Sequence, residues 1–429
     1  MAKHLSRRQF LRHSTVAGVG AALVQSGASA RGISANDKLN LGIIGVANRG
    51  GDNLAGVSGQ NIVALCDIDD NYLARRRSEF PQAKTYNDFR KLIEHKGLDA
   101  VVVSTPDHVH APAAAMALEA GLHVYCEKPL AHTVYEARVL AGLAKKHHRA
   151  TQMGTQIHAG SNYRRVVELI RAGAIGKVSE VHVWVGRVWS GGPRQATPPP
   201  VPANIHWDLW LGPIPERPYD PAYLPANWRG FWAFGSGTLG DMGCHHMDLP
   251  HWALDLRAPQ TVSAEGPPVD PEITPAWLIV HLDYPARGEQ PPVRLNWYHG
   301  EKRPAAFAEG KLPEWGDGTL FVGEKGMLLA DYDRRVLLPE KDFAGYMPPA
   351  PTIPDSIGHY EEWFAAIRTG SPTTCNFDYS GALSEAVLLG NVAYRTGQSL
   401  NWDAANLKAT NCPEADRFLR PHFRRGWRV

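Results

Sequence analysis

Short apolar runs alternate with amphipathic stretches from Leu39 to about Met153. Leu39–Ile44, Asn61–Cys66, Ala100–Val103 and His123–Cys126 are largely apolar, with no strict polar alternation. Helical spacing falls between them, at Asp70–Phe80 and Ala111–Ala120. Continuous apolar strands separated by helices predict a doubly wound, mostly parallel sheet covered on both faces.

After about Gly154 the pattern changes. Tyr163–Ala172 has helical spacing, and Val178–Trp189 then alternates, with Val181, Val183 and Val185 on one face. Ala276–Tyr284, Val293–His299, Thr319–Val322 and Met327–Tyr332 are further strand candidates with few helices between them. Such a succession predicts a large, open, mostly antiparallel sheet in an α+β domain. The proline-rich, tryptophan-bearing segment from Ser190 to Gly230 is too long for a simple connection, so a packed excursion or a lid is expected. Helices near Gly358–Arg368 and Ser380–Thr396 close the chain. The sequence thus divides into an expected leader over 1–30, a first domain over 31–154 and a second over 155–429.

The leader rests on Ser6-Arg7-Arg8-Gln9-Phe10-Leu11, a twin-arginine pattern, followed by an apolar run from Thr15 to about Gln25 and by Ala28-Ser29-Ala30. This is the layout of a signal peptide, and the run is short for a membrane anchor. The expectation is export in the folded state by the Tat machinery to the periplasm. Nicotinamide nucleotide is scarce there, so an exported dehydrogenase is expected to hold its nucleotide tightly. The formal net charge of +2 falls to −2 without the first thirty residues, and no basic block remains that would suit nucleic acid or a membrane surface. The five cysteines are scattered and odd in number, which reads as buried small residues and not as a disulfide framework or zinc site.

Gly45-Val46-Ala47-Asn48-Arg49-Gly50 follows the first strand and is expected to open a helix. In a dinucleotide fold the first glycine makes the tight turn, the second small position (here Ala47) admits the pyrophosphate, and the last lets helix and strand approach. Asp67 ends the second strand, where a carboxylate accepts from the adenosine ribose and repels a 2′-phosphate; NAD is therefore favoured over NADP. Arg75, Arg76 and Arg77 follow and would soften that preference if they reached the ribose. Ser104-Thr105-Pro106-Asp107-His108-Val109-His110 follows the third strand at the ligand crevice, so Thr105, Pro106 and His108 are further cofactor candidates.

Two more stretches carry chemistry: Glu127-Lys128-Pro129 and Asp241-Met242-Gly243-Cys244-His245-His246-Met247-Asp248. Together with the glycine turn they point to hydride transfer at a hydroxyl group. A helix from Gly240 would set Asp241 and His245 on one face. Adjacent histidines flanked by acids also suit a metal, but no further ligands converge and no metal is expected. On the substrate side Trp207, Trp228 and Arg229 precede this motif, and indoles stack well on sugar rings, although tryptophans in such a loop more often form its packing core. Gln156, His158, Tyr163 and Arg164 are expected to face the crevice from the other side.

These residues in this order resemble the glucose-fructose oxidoreductase/inositol dehydrogenase/rhizopine catabolism (Gfo/Idh/MocA) family, over nearly all of the chain after the leader. The resemblance implies a Rossmann domain followed by an open-sheet domain through which copies pair as homodimers or homotetramers. It implies that Glu127 and Lys128 flank the cofactor, that Lys128 holds the reacting hydroxyl, that His245 is the general base, and that Asp241 is its partner or a contact to the neighbouring hydroxyl. It also implies a carbohydrate or cyclitol substrate. The chemistry agrees: oxidising a secondary alcohol releases a proton as the hydride leaves, which suits a histidine, and an ammonium stabilises the developing alkoxide. Two rivals stand beside this reading. One is redox-assisted glycoside cleavage with transiently reduced NAD, although relatives assigned that activity carry a different motif where this chain has Gly240–His245. The other is a catalytically silent nucleotide- or sugar-binding protein.

Overall fold

The computed structural model describes residues 37–429 except Lys311. The twin-arginine pattern, the apolar run after it and the expected cleavage site lie outside the described residues.

The first half builds a six-stranded parallel sheet from β1 (Asn40–Ile44), β2 (Asn61–Cys66), β3 (Lys84–Tyr86), β4 (Ala100–Val103), β5 (His123–Cys126) and β6 (Thr151–Met153), in the order β3-β2-β1-β4-β5-β6. The four central strands are the four apolar runs of the sequence. The two edge strands are only three residues long and carry polar side chains, which is why periodicity passes over them. Strand order reverses between β2 and β4 around β1, and this opens a crevice at the carboxyl ends of the strands. Helix α1 (Arg49–Val57) follows β1, and α2 (Asp107–Glu119) follows β4. Helix α2 starts ahead of the alanine run that announces it, because Pro106 precedes its first turn and Asp107 favours it. Helix α3 (Val134–His147) opens with a capping box between Thr133 and Glu136.

The second half is a nine-stranded sheet of β7 (Val178–Val185), β8 (Thr261–Glu265), β9 (Leu278–Tyr284), β10 (Val293–His299), β11 (Gly318–Gly323), β12 (Gly326–Ala330), β13 (Arg335–Leu338), β14 (Leu400–Asp403) and β15 (Lys408–Ala409). The order is β13-β12-β11-β7-β10-β9-β8-β14-β15, and every pairing but β7–β10 is antiparallel. Helices α4 (Ser161–Arg171), α5 (Gly237–His246), α6 (Asp248–Leu254) and α7 (Phe377–Thr396) belong to this half. One continuous apolar core runs from Ile44, Val101 and Val124 of the first sheet through α7 to Val181, Val280 and Leu295 of the second. Helix α7 is tied to the first half by Leu130 N donating to Ser384 Oγ (3.1 Å) and by the buried Glu385 paired with Arg138. The other face of the second sheet carries a smaller cluster, Trp184, Tyr298, Leu320 and Leu329, with Phe307 and Trp315 over it.

The segment between Ser190 and Gly230 is a packed excursion with its own core of Trp210, Tyr223, Trp228, Phe231 and Phe234. It crosses to the carboxyl end of β2. There Ile205 bridges Asp69, Asp70 N donates to Asn204 O (3.0 Å), His206 N donates to Ile68 O (2.9 Å) and Asn204 Nδ2 donates to Asp69 Oδ1 (2.9 Å). Near the C-terminus Arg424 clamps the excursion from outside, through Asp208 Oδ1 (2.5 Å), Asp208 O (2.8 Å) and Gly212 O (2.6 Å). The excursion is therefore a strap across the nucleotide edge of the first sheet.

Candidate active site

A cleft of about 900 Å³ runs along the carboxyl edge of the first sheet and under the strap. At its outer part lies the glycine turn. Gly45 has φ +84°, and a Cβ there would meet Ser104 O at 2.4 Å; at Gly50 a Cβ would meet Gly45 O at 2.2 Å. No side chain fits either position, so turn, strand and helix close on one another as a phosphate cradle requires. Gly45, Ala47, Asn48 and Arg49 line the cleft, whereas Gly50 is packed beneath them. The N–H groups of Ala47, Asn48 and Arg49 have no backbone partner among the described residues, which suits an anion at the start of α1.

Asp67 lines the same region and accepts from Val46 N (2.9 Å) and Asp69 N (3.0 Å). Burial pushes its carboxyl up to about 6, against those two hydrogen bonds. Arg76 does not reach towards a ribose phosphate. Its Nε donates to Val46 O (3.0 Å) and its Nη1 pairs with Glu79 (2.8 Å), so it props the glycine turn, and Arg75 and Arg77 face solvent. The strap residues Asn204, Ile205 and Leu209 and the C-terminal Trp427 close the cleft beside Asp67 and Phe89.

The histidines after β4 do not line the cleft. His108 lies buried with Nε2 on Trp210 O (2.9 Å) and Nδ1 on Phe234 O (3.3 Å), and burial lowers it to about 3. His110 spans Pro129 O and Thr105 O (2.8 Å each). One anchors the strap and the other braces the Lys128–Pro129 peptide, which is cis. Thr105, Pro106 and Asp107 do line the cleft. Glu127 lies deeper. Its Oε1 accepts from Arg49 Nε (3.1 Å), Asn53 Nδ2 (2.9 Å) and Gln156 Nε2 (3.0 Å), while Oε2 is buried with no partner among the described residues. An unpaired carboxylate oxygen there suits an N–H or O–H donor of a bound molecule. The glycine turn, the Asp67 carboxylate and the unpartnered Glu127 oxygen together offer donors and acceptors of the kind NAD requires.

The inner end of the cleft is built on α5, which starts at Gly237 and not at Gly240; Gly237 takes φ +63°, and a Cβ there would meet Thr274 Cβ at 2.8 Å. Asp241 and His245 share one face of it, as their spacing predicts, but Asp241 is not hydrogen bonded to His245. Its Oδ1 accepts from Lys128 Nζ (2.5 Å) and Arg229 Nε (3.1 Å), its Oδ2 from Trp189 Nε1 (2.7 Å), and Lys128 Nζ also donates to Asp241 O (2.8 Å). Two cations and an indole saturate the carboxylate before the histidine can compete. Burial would raise the Asp241 carboxyl, but the Lys128 and Arg229 charges override it and hold the group well below the usual carboxylate range. Burial first, and the Lys128 charge second, push His245 well below the usual histidine value, so its ring is neutral. Its Nδ1 is buried without a partner, and neither ring nitrogen is hydrogen bonded among the described residues, which leaves Nε2 for the cleft.

The other expected substrate contacts divide. Gln156, Trp228 and Arg229 line the cleft, although the Trp228 ring carries the Arg229 guanidinium 4.3 Å from its centroid and is covered on that side. Tyr163 does not line it: it is buried and donates to His245 O (3.1 Å), supporting the helix from behind. Arg164 is turned away into a buried pair with Glu362 (2.9 Å). Trp207 stacks on Trp210 (4.7 Å) in the core of the strap. His158 pairs with the buried Asp248 (2.9 Å), which also accepts from Tyr379 (2.7 Å). His246 turns to Tyr332, Nε2 to OH at 3.0 Å. Among the described residues no group of three or more His, Cys, Asp and Glu converges as a metal site. Cleft residues that the sequence did not single out include Arg187 and Trp189 beyond the end of β7, Asp317 before β11, and Tyr332 after β12. The pairing of β11 with β7 and β12 brings them together, and residue spacing carries no sign of it.

Fold and cleft together define a dinucleotide-binding α/β protein with a lysine–aspartate–histidine group at the inner end of its nucleotide site. The chain belongs to the Gfo/Idh/MocA oxidoreductase family. Residues 39–155 match its NAD-binding Rossmann fold and residues 174–429 its C-terminal alpha/beta domain. An inositol 2-dehydrogenase of Salmonella paratyphi B is 34% identical over 150 residues, 34% of this chain and 45% of that protein. A glycosyl hydrolase family 109 protein of Solibacter usitatus is 31% identical over 193 residues, 41% of this chain and 44% of that protein. The chain thus spans less than half the length of these curated relatives. The WlbA dehydrogenase of Bordetella pertussis, solved with NADH and UDP-GlcNAcA, is similar with a TM-score of 0.61 at 16% identity, over 86% of this chain and 98% of that one. At that identity the likeness shows the fold.

Proposed function

We propose that this protein is an NAD-dependent oxidoreductase that moves a hydride between NAD and a ring hydroxyl of a sugar, glycoside or cyclitol. The observation that carries the reading is the meeting, at the inner end of a nucleotide cleft, of a lysine ion-paired to Asp241 and a neutral histidine with an unpartnered nitrogen. When bound, NAD supplies the hydride acceptor. The rest falls to the chain. Lys128 spends two of its three N–H groups on Asp241, and the third is free to hold the substrate oxygen and stabilise alkoxide charge as it develops. His245 Nε2 takes the hydroxyl proton. Asp241 fixes Lys128 and Arg229 in place; Arg229 also donates through Nη1 to Ala226 O (3.4 Å), which leaves Nη2 for a neighbouring hydroxyl. Arg187, Asp317 and Tyr332 add donors and acceptors along the same wall, as a polyhydroxylated ring requires.

The strap over the adenosine end supports tight retention of NAD, as the twin-arginine reading of the leader and work in the periplasm demand. The inositol dehydrogenase relative supports the cyclitol or sugar class. Pairing of copies through the open sheet remains part of the proposal, testable by light scattering. The direct test is optical: purified protein, with no nucleotide added, is mixed with a panel of sugars, glycosides and cyclitols while reduced-nicotinamide absorbance is followed. A stoichiometric rise with one class is expected. Glycoside cleavage with no net reduction would replace this reading with a closed redox cycle, and no response even with NAD supplied would replace it with a binding protein.

A further inference from the structure

A second cavity of about 350 Å³ lies away from the nucleotide cleft, where the residues opening α5, the closing turns of α7 and the C-terminal segment meet. Its charge is lopsided. Arg194, Arg217, Arg395, Arg417 and Arg420 line it against a single carboxylate, Glu216. Arg194 and Arg217 share Glu272 outside it, at 3.4 and 3.6 Å. The other three have no hydrogen bond or carboxylate partner among the described residues, and their neighbours are rings. Arg395 lies 4.8 Å from the centroid of Trp232 and 4.0 Å from that of Phe418, Arg417 lies 4.5 Å from Phe418, and Arg420 lies 5.0 Å from Tyr135.

Two guanidiniums on one phenyl ring repel each other, and that of Arg395 is partly buried. Burial and the Arg417 charge push Arg395 down to about 10. Aromatic faces offset part of this cost, and so does the carboxyl end of α7, but neither neutralises three charges. Arg417 and Arg420 are exposed, so the cost of burial falls on Arg395, and a buried charge is otherwise paired. The imbalance also runs against a chain whose net charge without its first thirty residues is −2. Planar guanidinium forks match tetrahedral oxyanions in two-point fashion, and several forks around one cavity favour a phosphate over a lone carboxylate.

We propose that this cavity binds a phosphate group, either as the free ion or as the head of a small phosphorylated metabolite. Its volume exceeds what inorganic phosphate fills and admits a body of monosaccharide size.

The test is calorimetric titration of the NAD-saturated protein, so that the glycine-turn cradle is already occupied. Inorganic phosphate and glucose 6-phosphate are the probes, at constant ionic strength set with chloride. Saturable one-to-one binding is expected. Arg417→Gln with Arg420→Gln, both at exposed positions that leave the core intact, should weaken it roughly tenfold or more per charged hydrogen-bonded pair lost. Arg395→Lys, which keeps the charge and removes the fork, should weaken it similarly, with NAD content unchanged in all variants. Tighter binding of the sugar phosphate would assign the site to a metabolite, and equal binding to the free ion. Absence of saturable binding by both probes at millimolar concentration would overturn the proposal, as would unchanged affinity in the variants.

Discussion

Replacing Asp241 by asparagine tests the centre of the proposed site. The carboxylate serves three donors: Lys128 and Arg229 on Oδ1, and Trp189 on Oδ2. An asparagine offers one acceptor. With its oxygen towards the cations, its amide N–H groups face the Trp189 N–H; with its oxygen towards Trp189, they face two cations. Either way at least one buried donor is left unpaired and two positive charges lose their counter-ion. Removing one partner of a fully buried pair costs about 3–5 kcal/mol. The side chains of Asp241, Lys128 and Arg229 retain 9%, 10% and 22% exposure, so the lower end, about 3 kcal/mol, is expected here. The native carboxyl is held far down, so its contribution is present above the unfolded carboxylate value and is lost only as pH falls through the lower folded value. The deficit of Asp241→Asn should therefore be constant from about pH 5 to 8. Urea unfolding of the nucleotide-free protein measures it, and single-turnover reduction of bound nucleotide should slow about 100-fold as Lys128 loses its position. An unchanged urea midpoint with near-native turnover would refute the argument that this carboxylate organises the site.

Lys128→Ala and His245→Ala should each cut turnover by about 100- to 10,000-fold while bound nucleotide, measured after denaturation, stays near one per chain. Because His245 is pushed well below the usual histidine value, it accepts a proton at all pH above that lowered value; the acidic limb of kcat/KM should fall below 6.5, and a limb at or above 6.5 would remove His245 as the base. Asp67, raised to about 6 by burial, accepts from the ribose best when ionised, so the affinity for NAD in equilibrium dialysis should weaken as pH drops through about 6, and Asp67→Ala should flatten that dependence. Asn204→Ala with His206→Ala removes two side-chain ties of the strap to Asp69 and Asp70, and dissociation of NAD should quicken severalfold with little change in the single-turnover rate.

The elements that depend on local pattern were legible. β2, β4 and β5 stand where their apolar runs stand, and α7 starts only three residues before its expected start. The glycine turn was readable because its demand is conformational: Gly45 and Gly50 face backbone atoms too close for any side chain. Asp67 was readable because a strand end fixes its place relative to that turn. Expectation and structure part where a residue of suitable chemistry was expected to face the crevice but is turned to another partner. His108, Tyr163, Arg164 and Trp207 have the chemistry of ligands and serve as supports, since buried polar groups must find partners and theirs lie in the strap, in α5 and in Glu362.

Sequence by itself determined the alternation of apolar and polar positions, the turn geometry and the presence of residue types suited to proton chemistry, because each is read from neighbours a few positions along the chain. Tertiary structure alone decided which of those types meet. Lys128 and Asp241 are 113 positions apart, and Asp241 pairs with that lysine, Arg229 and Trp189 and not with the histidine one turn away. Strand register brought Asp317 and Tyr332 to the cleft, and the strap carried Asn204 across it. Such partnerships are chosen by shape and by the cost of burying an unpaired charge, and neither is expressed until distant segments are packed together.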